Sequence, residues 1–279
     1  MSTRLTQEDI IPAKSDVGAL ANRINAETKS AHDKINGLID IKMAFVIREP
    51  RVYRQGIQAF YHVFRTFEEC WHEEMKADTR IGHILDTVWS DVLARSEPIS
   101  KDLMYFYQDS SKFATPKQPA QIEFVEHIKQ ITKEKPHVLL AYAHVLYMAL
   151  FAGGRIIRAT LERSGLFPKE PGVSKADVAR RGTNMFIFDV EDPMAFRAQW
   201  KRTYELETRN ALTEQEKQDI IDESSEIFLR SHKMLAELVR VNSQALKNNI
   251  KNLLIHILKY ILIILFVIYA LYKVYYTAF

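Results

Sequence analysis

Nine histidines are spread along this chain of 279 residues, and His32 stands where an imidazole can do chemistry. The apolar positions Val17, Leu20, Ile24, Ala31 and Ile35 recur at helical spacing, which predicts an amphipathic helix capped by Ser15 or Asp16. His32 falls on the border of that stripe, so its ring can reach the core while its other nitrogen stays hydrogen-bonded. A neutral imidazole held in this way is a suitable axial ligand for haem iron. A partly exposed surface histidine fits the same position. His62, His72, His83, His127, His137 and His144 compete with it, and spacing alone does not eliminate them. No HxxxH or HExxH pair occurs, which argues against a zinc site built by the protein alone.

A pair of glycines is the second feature. From Val138 to Gly154 the chain is apolar on nearly every side, broken only by His144 and two tyrosines. Such a helix must be buried. It falls short of the roughly 20 residues of a comfortable membrane span, and His144 at mid-length argues further against one. Gly153 and Gly154 lie inside it, each costing about 1 kcal/mol relative to alanine in a helix interior. Such a helix bends, crosses another helix closely, or lets a flat ligand approach its backbone. A GxSxG nucleophile elbow and phosphate-binding glycine loops are absent.

The elements that must position these residues are helices. Glycine and proline number nine each, a scarcity that speaks against turn-rich sandwiches and barrels. Hydrophobic residues make up 47%, enough for one sizeable core. After Pro50, Ile57, Phe60, Phe64, Phe67 and Trp71 recur at helical spacing. Shorter helical stretches follow at 81–95, 100–108 and 120–135, and the apolar helix runs from Pro136 to a stop at Gly165 and Pro168. Asp192–Pro193 reads as a helix start, and Thr213-Glu214-Gln215-Glu216 as a capping box. Met185–Val190 is the only strand candidate. The single cysteine, Cys70, excludes internal disulfides, cysteine zinc sites and iron–sulfur clusters. A net charge of +3 and the lack of a basic arm give no reason to expect nucleic acid.

The chain divides into an N-terminal tail, 1–14, a helical domain, 15–240, a linker, 241–252, and a C-terminal membrane anchor, 253–279. The last segment reads LLIHILKYILIILFVIYALYKVYYTAF, interrupted by His256, Lys259 and Lys273. Its apolar residues cover every face, whereas a buried amphipathic helix keeps a polar one. Lys259 and Lys273 can snorkel, and Tyr272, Tyr275 and Tyr276 suit an interface. Lys247 and Lys251 favour a cytosolic side for the preceding domain. The modest length of the span leans towards the thinner endoplasmic reticulum membrane.

Four motifs in order carry a resemblance. Glu27-Thr28-Lys29-Ser30-Ala31-His32 resembles the proximal-helix signature of the haem oxygenases, and Ala152-Gly153-Gly154-Arg155 resembles their distal helix. Phe60-Tyr61-His62-Val63-Phe64 with Phe67-Glu68-Glu69 resembles the second long helix of that family. Phe196–Glu207, followed by Phe228-Leu229 and Leu235-Ala236-Glu237-Leu238, resembles its last two. The similarity spans about residues 15–240, and the hydrophobic tail recurs in membrane-bound eukaryotic members.

The resemblance implies an all-α, haem-oxygenase-like bundle with haem b between a proximal and a glycine-kinked distal helix, plus a C-terminal transmembrane helix. It makes His32 the proximal iron ligand and lets Gly153 and Gly154 close over the porphyrin. Haem carries two propionates, so Lys29, Lys201 and its neighbour Arg202 are the implied anchors. Asn25 stands where the family has a second basic residue on the proximal helix. One turn before the glycines stand Ala149 and Leu150, where the family has glycine and aspartate. That aspartate organises the water that hydrogen-bonds iron-bound dioxygen, and leucine cannot do so. Arg155 could supply charge there. The implied activity is oxidative cleavage of haem, substrate and cofactor at once, to biliverdin, iron and carbon monoxide. It uses O2 and electrons from an NADPH-dependent reductase, itself membrane-bound. The alternatives are a haem-binding protein that does not degrade haem, and a tail-anchored helical adaptor without haem.

Overall fold

The computed structural model describes residues 12–13, 15–34 and 49–244. Ile35, most of the expected N-terminal tail and linker, and the segment 253–279 expected to be a membrane anchor lie outside these residues. The chain forms two compact units, Met1–Glu237 and Leu238–Phe279, and the site described below lies in the first.

Helix α1, Leu20–Glu27, begins later than its stripe predicts. Ala19 flanks it without any side-chain cap. The carboxylate of Asp16 instead accepts from the Gly18 amide at 3.1 Å, which holds this segment in a turn. Val17 is therefore left exposed, while Leu20 and Ile24 are buried. The helix also has no acidic residue in its first turn and no basic one in its last. Neither end complements the helix dipole. After a turn at Thr28, whose hydroxyl bonds back to the Ile24 carbonyl at 2.8 Å, helical conformation resumes over 29–34.

Helix α2, Pro50–Met75, follows its stripe: Ile57, Phe64, Phe67 and Trp71 are buried, and Phe60 is partly so. Proline occupies its first turn, behind Glu49. Around α2 pack α3, Arg80–Val88, α4, Ser96–Tyr107, and α5, Pro119–Glu134. Next comes the apolar helix, in three parts. A short α6, Leu139–Tyr142, passes into one π-helical turn, Ala143–Tyr147, and then into α7, Met148–Arg163. It is apolar all round because the domain encloses it: 78% of its most apolar stretch is buried. It ends before Gly165, whose φ of 81° suits glycine. The short α8, Lys175–Arg180, leads to α9, Pro193–Ala211, and α10, Glu214–Val241. Asp192 caps α9 through the amides of Met194 and Ala195. The capping box of α10 closes reciprocally, Thr213 N to Glu216 at 2.8 Å and Glu216 N to Thr213 at 3.2 Å.

No strand occurs among the described residues. The strand candidate Met185–Val190 overlaps a 3-10 turn, Asn184–Phe186, and an irregular strap, for a reason that alternation does not reveal. Asp102 of α4, fully buried, accepts from Asn184 N at 2.7 Å, Asn184 Nδ2 at 2.8 Å and Met185 N at 2.8 Å. Burial still pushes its carboxyl up to about 7. Arg95 donates to the Ile187 carbonyl at 2.6 Å, and its guanidinium lies 4.3 Å from the Phe188 ring centre. These bonds satisfy the strap without a ladder. Phe188 stacks on Phe151 of α7 at 3.9 Å, so the strap braces one side of α7. The π turn is braced as well: buried Glu68 of α2 accepts from Tyr147 Oη at 3.0 Å and from the Arg95 amide at 2.7 Å.

Candidate functional site

A cavity of about 200 Å³ opens between α1 with its extension and the α6–α7 helix, with α9 and α10 closing it. Val145, Met148, Ala149 and Ala152 line one wall, the spacing of a single helical face. Asn25, Thr28 and His32 line the other, again one face. Arg197 and Lys201, one turn apart on α9, and Phe228 of α10 complete it.

His32 stands at the rim, its side chain 55% exposed. Its ring meets Phe228 edge to face at 5.9 Å, and Nδ1 lies 3.9 Å from the Asp33 carboxylate. Most competing histidines are engaged elsewhere. His72 Nδ1 contacts the Glu68 carbonyl at 2.6 Å, His83 contacts Asp78, His127 contacts Glu223, and His137 contacts Asp219. His62 is buried against Tyr61, and burial lowers its pKa to about 4. Among the described residues only His144 shares the cavity with His32.

The cavity is cationic. The Arg197 Nε is buried without a hydrogen-bond partner. Burial, then the nearby Arg197 charge, lowers the pKa of Lys201, against the pull of Glu205. No carboxylate lines the cavity among the described residues. Cations left incompletely paired are costly inside a protein, so the arrangement favours an anionic ligand.

Of the residues singled out in the sequence, the cavity brings together His32, Lys201, Ala149 and Asn25. Lys29 lines a shallow hollow on another face of α1, and Arg202 and Arg155 are not among the cavity residues. Arg197 escaped the sequence reading, although its position four residues before Lys201 places it on the same face of α9. Leu150 is buried in the apolar core, so a leucine there packs the domain rather than lining the cavity. The π turn also had no sequence signal. It widens the helix where His144 and Val145 meet the cavity, a common location for such turns.

The two glycines part company. A methyl on Gly154 would meet Phe186 of the strap at 3.4 Å, an ordinary contact, and one on Gly153 would meet only Ile157 Cδ1 at 3.8 Å. Gly154 thus faces the strap at ordinary contact distance rather than a close helix crossing, and packing gives no reason for glycine at 153 either. Gly153→Ala is therefore expected to stabilise the ligand-free protein by about 0.5–1 kcal/mol in urea unfolding. A loss of stability would show a contact that requires glycine.

An all-α protein with an imidazole-bearing, cationic cleft between two helices is the class that this fold and site define. The Heme oxygenase family model matches residues 18–237. The chain belongs to the haem oxygenase family. It is 39% identical over 259 residues to Heme-binding protein HMX1 of Saccharomyces cerevisiae, covering 85% of this chain and 80% of the relative. Heme oxygenase 1 of Nostoc is 26% identical over 222 residues, covering 78% and 85%. The fold matches crystal structures of haem oxygenase-1 from Synechocystis in complex with haem, at a TM-score of 0.69 and 22% identity over 85% of this chain and 99% of that one. It also matches haem oxygenase from Leptospira interrogans, at 0.66 and 22% over 78% and 99%.

Proposed function

We propose that the chain binds haem b in this cleft, with His32 on the iron and with Lys201 and Arg197 on the propionates. The observation that carries the reading is the donor set: one rim imidazole and two cations without salt bridges among the described residues. That set fits a flat dianion whose metal takes a neutral nitrogen ligand. The cavity is smaller than the roughly 300–1,000 Å³ of typical ligand sites, so α1 and α7 must separate to admit haem. His32 would supply a neutral nitrogen ligand to the iron, and Ala149 and Ala152 keep the opposite wall low. Bound haem supplies an iron that can activate O2 with electrons from a reductase.

Oxidative cleavage to biliverdin, ferrous iron and carbon monoxide is the second reading. It is favoured by the family match. Against it stands the lining itself: no acid faces the cavity among the described residues, and Leu150 occupies the core. Protons for turnover would then have to come through water and backbone groups. The hydrophobic segment 253–279 is read as the anchor that would hold the domain beside a membrane-bound NADPH-dependent reductase, on the cytosolic face of the endoplasmic reticulum.

Adding haem to the purified chain and recording the Soret band tests binding, and adding reductase, NADPH and O2 tests turnover. Decay of the band with growth of biliverdin absorption establishes the enzyme. A persistent band establishes a haem-binding protein. No band leaves only a helical protein without haem.

A further inference from the structure

Within the cleft one group has no place in this reading. His144, carried by the π turn, is 5% exposed and lines the cavity. Its Nε2 has only Asn25 Oδ1, at 3.5 Å, the outer limit of a hydrogen bond. Asn25 precedes His32 by seven residues, with the turn at Thr28 between them. His144 therefore meets the α1 wall at Asn25 rather than at the proposed iron ligand, and it shares the cavity with the cations of α9.

We infer that His144 is a proton-accepting ligand for a carboxylate of the bound molecule, so that binding in this cleft takes up a proton. The inference rests on the haem reading for the source of that carboxylate and adds to it a third, switchable donor.

The argument follows from what surrounds the ring. From α9 it faces Lys201 and Arg197, with Glu205 one turn beyond, and the Tyr204 ring at 5.5 Å. From α1 it faces Asn25 and Thr28, both neutral, with His32 farther along the same wall. Phe228 of α10 has no titratable group. In the ligand-free protein, burial and then the Lys201 charge lower the pKa of His144 to about 4, so the ring is neutral at pH 7. A carboxylate bound between Lys201 and His144 offsets the Lys201 charge and gives the buried imidazolium the anionic partner that burial otherwise denies it. The proton comes from solvent, and the product is an imidazolium–carboxylate hydrogen bond, the stronger charge-assisted kind. Because the complex holds a proton that the free protein lacks, binding tightens as pH falls, by up to about tenfold per pH unit while that difference persists.

The test uses the full chain and haem. Calorimetric titration near pH 6, in two buffers of different ionisation enthalpy, counts the protons taken up. The wild type is expected to take up close to one, and His144→Gln none, with affinity that no longer rises as pH falls. His144→Phe serves as a second variant, and thermal unfolding checks that both fold. The Soret band should be the same in all three proteins, because His32 is untouched. Haem dimethyl ester, which lacks free carboxylates, should bind without proton uptake. No proton uptake by the wild type, or equal uptake in His144→Gln, overturns the inference while leaving the haem reading intact. Absence of any Soret band overturns the haem reading itself.

Discussion

A His32→Ala chain mixed with haem is expected to show no Soret band at concentrations that saturate the wild type. The loss of affinity should be about 100-fold or more, beyond the 10–100-fold typical of losing a metal ligand's supporting partner. The variant removes a side chain that is 55% exposed, so its stability should stay within about 0.5 kcal/mol of the wild type. That separation makes the result readable: binding fails while folding does not. Added imidazole should restore the band by filling the vacated position. His144, the other histidine on the cavity among the described residues, contacts Asn25 rather than the His32 position. A band of undiminished affinity in His32→Ala would place the iron elsewhere, and the remaining histidines of the described domain would become the candidates.

The second large effect concerns the strap. The Asp102 carboxyl is raised by burial to about 7 from an ordinary 3.8, despite three hydrogen bonds from the strap. A carboxyl whose folded pKa is raised contributes stability below its unfolded pKa and loses it as pH rises through the folded one. Relative to Asp102→Asn, which cannot ionise, the wild type should therefore lose roughly 2–3 kcal/mol of unfolding free energy between about pH 5 and pH 8. Urea titrations of both proteins across that window measure it. Parallel pH profiles would mean that the group keeps one charge state throughout. The consequence reaches the cleft, because the strap pinned by Asp102 is what Phe151 and Gly154 of α7 rest on.

Much of this architecture could be read from residue spacing, because period and capping are local. The stripe from Ile57 to Trp71, the start at Asp192–Pro193 and the box at Thr213–Glu216 each depend on a few neighbours in sequence, and each reappears in α2, α9 and α10. The beginning of α1 did not, because Asp16 bonds the Gly18 amide rather than capping the helix. Met185–Val190 alternates like a strand, but its backbone is satisfied by Asp102 and Arg95, 83 and 92 residues away in the closest pairs. In the cleft, the sequence pointed to His32 and Lys201, and it raised His144 only as a competitor for the iron. It passed over Arg197, whose neighbour four residues on had already been noticed. The aspects of Gly153, Gly154 and Leu150 could not be separated either, since they depend on which side of α7 the strap occupies.

The weak capping of α1 has a consequence for how tightly the cleft holds anything. Its two walls differ in kind. One is a buried helix braced by Glu68 and by the strap, while the other is an eight-residue helix without a side-chain cap or complementary end charges. Such a short helix is marginal by itself. The soft wall leads directly to His32, so the cost of ordering that wall is subtracted from the affinity of the ligand that His32 holds. Grip in this cleft can accordingly be tuned at a distance: changes that only firm or loosen α1 act as an affinity dial without altering a single ligand contact.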